Sequence, residues 1–203
     1  KFALGRIRKY LDPRLREMGL DWDECEVLLR RIQTLEELQV AVDDPEGFLK
    51  ALDARADELG QQWAVLKARP QIEQRLFEEG LHWEDMVRVL MLATRKEILL
   101  AVENPSEFLE AVEKKAKSEM NKQLAAARMR NPLVPFLEGL YWEDMLPVLH
   151  EVENAREIMN FVDSPELLLW KFDNGGAMPA SERYTIAKLR CQLEVGLRKW
   201  NGH

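Results

Sequence analysis

A chain of 203 residues with 46% hydrophobic and 32% charged side chains has the composition of a folded globular protein, not of a disordered one. Its formal charge of −7 argues against a general nucleic-acid binder, which needs a basic surface to displace condensed counterions. No apolar run approaches the roughly 20 residues that span a bilayer, and the opening KFALGRIRKYLDPRL lacks the apolar segment and cleavage site of a signal peptide.

The first predicted helix carries Ile7, Leu11, Leu15 and Met18 at helical spacing. It runs into GLDWDEC, Gly19 to Cys25. There the glycine suits the C′ position of a helix, where positive φ is required. Asp21 then lies near the next N-cap, and Asp23 and Glu24 fall in the first turn, beside the positive end of the helix macrodipole. Leu20 and Trp22 pin the corner to the core, each burial contributing on the order of 1.5–3 kcal/mol. A second helix is predicted from Trp22 to about Ile32, a short third from Leu35 to Val42 and a fourth from Pro45 to about Leu59. Thr34 and Glu37 have the spacing of a capping box. Asp44-Pro45 places a capping side chain before a proline at the first helical position.

The same series returns twice. GLHWEDM starts at Gly80 and GLYWEDM at Gly139, 61 and 59 residues further on. Thr94 with Glu97 and Asn154 with Glu157 repeat the capping spacing, and Asn104-Pro105 and Ser164-Pro165 repeat the proline start. KARPQIEQRL, Lys67 to Leu76, lines up with KLRCQLEVGL, Lys188 to Leu197, so a last helix keeps Ile186, Leu189, Leu193 and Leu197 at helical spacing. No stretch alternates with period two, so no sheet is expected. The expected fold is all-α: three tandem repeats of about 60 residues, 1–60, 61–120 and 121–180, with about four helices each, in a solenoid-like or compact superhelical stack. Residues 181–203 form a C-terminal capping helix resembling the start of a fourth repeat. Gly19, Trp22, Gly80, Trp83, Gly139 and Trp142 are its structural joints. The period and signature match neither tetratricopeptide, ankyrin nor HEAT repeats.

If shared positions are architectural, function belongs where the copies differ. DPEGFLKAL and NPSEFLEAV become SPELLLWKF in the third copy. Gly47 and Glu107 correspond to Leu167, Lys50 and Glu110 to Trp170, and Ala41 and Ala101 to Phe161. Leu167 and Trp170 are one helical turn apart, on one face. Directly after them DNGGAMPAS, residues 173–181, reads as a loop where the other copies carry charged, helix-forming sequence. An apolar surface beside a Gly-rich loop is a common binding element, so Phe161, Leu167, Trp170 and Met178 are the candidate partner-binding residues.

Nothing in the chain calls for catalysis, a metal or a cofactor. Cys25 stands where the other copies have Met86 and Met145, which marks a buried apolar slot, and Cys191 completes no redox or metal motif with it. His82, His150 and His203 form no HExxH pair, and neither a Walker loop nor a G-x-S-x-G elbow occurs. DWDECE and DDPE lack the calcium-loop pattern. The expected function is a non-enzymatic helical-repeat scaffold or protein–protein interaction module, a subunit or segment of a larger assembly. Its partner is another protein, not nucleic acid, and it has no membrane span. The alternative is a carrier that holds a lipid or pigment in an interhelical apolar pocket.

Overall fold

The computed structural model describes residues 2–32, 34–176 and 178–201. His203 lies outside them, as do the side chains of residues 2–4, 35 and 195–201, Leu197 included. Among the described residues every element is helical. In chain order they are α1 (Phe2–Glu17), α2 (Trp22–Leu29), α3 (Leu35–Asp43), α4 (Pro45–Ala54), α5 (Glu58–Glu78), α6 (Trp83–Met91) and α7 (Arg95–Glu103). Then follow α8 (Pro105–Glu113), α9 (Glu119–Arg128), α10 (Arg130–Leu133) with a 3₁₀ turn (Val134–Phe136), α11 (Trp142–His150), α12 (Ala155–Met159), α13 (Pro165–Asn174) and α14 (Pro179–Asn201). No described helix is long and apolar enough to cross a membrane.

The local signals work as chemistry requires. Gly19, Gly80 and Gly139 have φ of 76°, 76° and 96°, and Trp22, Trp83 and Trp142 each open the helix that follows. Thr34, Thr94 and Asn154 accept the N3 amide with their side chains, and Thr94 with Glu97 closes a full reciprocal box. Asp44 and Asn104 cap α4 and α8 in the same way. Ser164 departs from the expectation: it precedes Pro165, but its side chain makes no cap bond.

Further expectations are corrected. The fourth helix stops at Ala54 instead of reaching Leu59, and α2 ends at Leu29. Arg55 is extended, and Asp57 accepts the Gly60 amide at 3.0 Å, which starts α5. At the same phase of the next copy Ser118 accepts the Asn121 amide at 3.1 Å and starts α9. The break after α13 is therefore not a loop that replaced helix, because all three copies break there. That loop is also shorter than 173–181, since α13 runs to Asn174 and α14 begins at Pro179.

The chain gathers into two compact units. The first comprises Lys1–Glu78 with Leu90–Phe108. Its core joins Ile7, Leu11 and Leu15 of α1 to Trp22, Cys25, Phe48, Leu52 and Trp63, with α1 lying on α3 and α5 on α7. Trp63 Nε1 donates to Asp53 at 2.9 Å, and Lys67 pairs with the same carboxylate at 2.8 Å. Arg69 pairs with Glu24 and Glu73.

The second unit comprises Glu79–Val89 with Leu109–His203. Its core gathers Met129, Leu133, Trp142, Met145, Ile158, Leu168, Phe172 and Tyr184. Here α9 lies on α12, and α14 lies on α11 and α13. Arg128 pairs with Glu113 at 2.5 Å and Lys188 with Asp173 at 2.7 Å, at the positions of Lys67 and Asp53 in the first unit.

Candidate partner-binding surface

Helix α13 has two faces with opposite fates. Leu168, Leu169 and Phe172 are buried, and the Phe172 ring meets Tyr184 of α14 at a centroid distance of 5.6 Å. Leu167 and Trp170 point the other way, 52% and 64% exposed. Leaving two such side chains in water forgoes roughly 1.5–3 kcal/mol each, so neither is explained by the stability of its own unit.

Trp170 is also an edge of a groove of about 390 Å³ in the second unit. Phe136, Leu140, Tyr184 and Cys191 supply its apolar and aromatic lining, and the Lys188–Asp173 pair crosses it. That pair holds the Lys188 ammonium above its ordinary pKa, chiefly through the Asp173 hydrogen bond. Burial pushes the Tyr184 hydroxyl up as well. Lys188 Nζ stands 5.2 Å from the Tyr184 ring centroid, so its charge is shared between a carboxylate and a π face. Cys191 Sγ donates to the Gly139 carbonyl at 3.0 Å, tying α14 to the joint before α11.

The four residues chosen from sequence do not share one setting. Phe161 is half-buried against the core, with Lys171 Nζ 5.8 Å from its ring centroid and paired to Glu157. Met178 is exposed and reaches over Gly175, where a Cβ would meet its Cε at 2.8 Å. It leaves Trp170 open. Of the four, Trp170 alone lines the groove. Helical spacing does not mark Phe136, because Pro132 and Pro135 convert the end of a long helix into α10 and a 3₁₀ turn. Those prolines were the available signal.

A second hollow of about 550 Å³ lies between α9 and α12, lined by Leu124, Ala125, Ala155 and Met159 with Glu113, Arg128 and Arg156 among the polar groups. Comparison with the first unit gives its cause. There Arg95 donates to the Arg55 and Gly60 carbonyls, and Trp63 is fully buried. The corresponding residues here are Ala155 and Leu124, so two large groups have become smaller ones.

The histidines sit elsewhere. His82 Nε2 is 2.9 Å from Asn131 Oδ1, and Asn131 Nδ2 donates to the Gly80 carbonyl at 2.8 Å, so His82 braces a helix joint. His150 Nε2 is buried without a partner, and burial pushes its pKa down. The acidic pairs after Trp22 and Trp83 do more than complement a helix dipole. Glu24 pairs with Arg69, and Asp85 pairs with Arg130 at 3.2 Å. Comparison with protein-family models, with curated proteins and with solved structures finds no match.

Proposed function

We propose that this chain is a non-enzymatic helical-repeat scaffold, a subunit or segment of a larger assembly that binds another protein through the outer face of α13. The observation that carries this reading is Trp170: a large aromatic side chain, 64% exposed, at the edge of a groove lined by Phe136, Leu140 and Tyr184. Aromatic anchors beside a partly apolar cleft are the usual centre of a protein interface. Leu167 extends the face by one turn, and Met178 and Phe161 flank it in sequence. The recurrence of the Gly-Leu-x-Trp joint supports a solenoid-like or compact superhelical stack of units.

Substituting Leu167→Lys and Trp170→Lys together tests the assignment. Both positions are exposed, so the double variant keeps its helical circular dichroism and thermal midpoint, while capture of the protein's partner from its own source falls at least about tenfold. Equal capture by a well-folded double variant sinks the reading.

The hollow between α9 and α12 favours a second reading, a carrier for a small amphiphile. About 550 Å³ is within the range of ligand pockets, its floor is apolar, and Arg128 and Arg156 stand among its polar groups. A native mass spectrum of protein from its own source separates the two. A reproducible, stoichiometric small-molecule adduct favours the carrier, and a bare chain of 23.7 kDa favours the scaffold.

A further inference from the structure

One apolar stripe recurs in every long opening helix. In α1 it is Ile7, Leu11 and Leu15; in α5 it is Val65, Ala68, Ile72 and Leu76; along α9 and α10 it is Ala126, Met129 and Leu133, continued by Leu137 after the 3₁₀ turn. All of these residues are buried. In α14 the corresponding positions are Ile186, Leu189 and Leu193, and they are 64%, 54% and 68% exposed. The same residues at the same spacing are core three times and surface once.

What covers the stripe elsewhere is a later module of the chain. The α1 stripe shares its core cluster with residues of α2 to α4, and α1 lies on α3. The α9–α10 stripe shares its cluster with Trp142, Ala155 and Ile158, and α9 lies on α12. Helix α5 lies on α7, with Arg75 donating to the Val102 and Glu103 carbonyls at its end. The short helix begun by a Thr or Asn cap is the common element on the covering side. Among the described residues α14 is engaged through its other face: Ala180 and Tyr184 are buried against α11 and α13, about half a turn from the stripe. A helix that closes a repeat array carries a polar outer face. This one carries the apolar face of an inner helix.

We propose that the Ile186–Leu189–Leu193 face of α14 is a docking surface for a further module of this same kind, supplied from outside residues 1–203. The module consists of a Gly-Leu-x-Trp helix, a short Thr- or Asn-capped helix and a helix opened by Asp, Asn or Ser before proline. Its short capped helix lies along α14 as α3, α7 and α12 lie along α1, α5 and α9. The surface goes beyond the α13 face and shares no residue with it, so Leu167→Lys with Trp170→Lys leaves it intact.

The test carries the probe on the chain itself. The full chain is extended through a flexible Gly-Ser linker by a second copy of residues 80–113, which places the module at millimolar effective concentration. Hydrogen exchange of the α14 amides between 179 and 194 is compared with and without the extension, and again in Ile186→Lys with Leu193→Lys. The expected result is that the extension slows α14 exchange by about tenfold or more and that the double lysine variant abolishes the effect. Unchanged exchange in the extended chain overturns the proposal, as does equal protection in the lysine variant. A dimer of the unextended chain that dissociates with the same two lysines also overturns it, because a second α14 is then the occupant.

Discussion

Trp142 Nε1 donates to Asp85 Oδ1 at 2.9 Å, a bond between two buried side chains 57 residues apart in sequence. Arg130 Nη1 stands 3.2 Å from the other oxygen of the same carboxylate. One buried acid thus serves an indole of α11 and a guanidinium of α10. Arg69 and Glu24 in the first unit are separated by the same 45 residues as Arg130 and Asp85. Removing Asp85 leaves the buried Trp142 indole without an acceptor, and leaves the partly exposed Arg130 with Glu84 at 3.7 Å. Asp85→Ala is expected to lower stability by roughly 3 kcal/mol. Asp85→Asn keeps an acceptor for Trp142 and loses the ion pair, so it costs less. Urea unfolding of the two variants checks both the size and the order, and equal losses would mean that the indole bond contributes nothing.

The joint containing Asp85 was readable from sequence, whereas its partners were not. A glycine at C′, an acid in the first turn and a proline after Asp, Asn or Ser act within one helical turn, so position along the chain determines them. The bond from Asp85 to Trp142 depends on which helix lies next to which, and no local pattern encodes that. The break between α4 and α5 is hidden for the opposite reason, a competition between local signals. Charged residues favour helix there, but Asp57-Glu58 and Ser118-Glu119 are caps followed by a first-turn acid, and the cap prevails. Leu167 and Trp170 were found by comparing copies, since a polar position turned apolar stands out against its equivalents. Ile186, Leu189 and Leu193 show no such contrast. They match the buried stripe of α5, and only the arrangement of helices reveals that nothing lies over them among the described residues.

Gly19 and Gly80 share φ of 76° but differ in what a side chain would meet. A Cβ on Gly80 comes no nearer than 3.5 Å to Asn131 Nδ2, whereas one on Gly19 stands 3.1 Å from Pro70 Cβ, within α5. Gly80→Ala therefore carries only the left-handed backbone penalty, about 1–2 kcal/mol. Gly19→Ala adds a contact with a ring that cannot rotate away, and its loss of stability is larger. Thermal or urea unfolding of the pair measures the difference, and a Gly80→Ala loss equal to or above that of Gly19→Ala contradicts the packing at Pro70.

His150 supplies an acid-limb prediction. Burial is the main cause of its lowered pKa, and Arg88 and Lys122 act in the same direction against Glu119 and Glu151. The folded state therefore binds this proton more weakly than the unfolded chain, whose pKa is near 6.5. Stability from keeping His150 neutral is complete above that pH and is lost as the pH falls below it. His150→Leu removes the buried, unpartnered Nε2. The variant is expected to be at least as stable at pH 7 and to show a flatter decline between roughly pH 6.5 and 5. Chemical unfolding across that range decides it, and an unchanged slope assigns the acid limb to other groups.

The two cysteines make the last test a chemical one. Both are free thiols; Cys25 is buried in the slot that Met86 and Met145 fill elsewhere, and Cys191 is partly exposed in the groove beside Trp170. Burial first, and Glu24 and Asp21 after it, push the Cys25 pKa from 9.0 up to about 12. Because the thiolate is the reactive form, native protein at pH 8 is expected to titrate one thiol with an aromatic disulfide reagent, and urea-unfolded protein two. The same shift has a consequence for stability. The unfolded chain releases this proton near pH 9 while the folded one holds it to about 12, so stability that is complete below pH 9 declines as pH rises between those values. Cys25→Ala removes that alkaline decline at the cost of a small cavity. Rapid native labelling of both thiols would instead place Cys25 in a region that opens readily, and the groove thiol would no longer be distinguishable by reactivity.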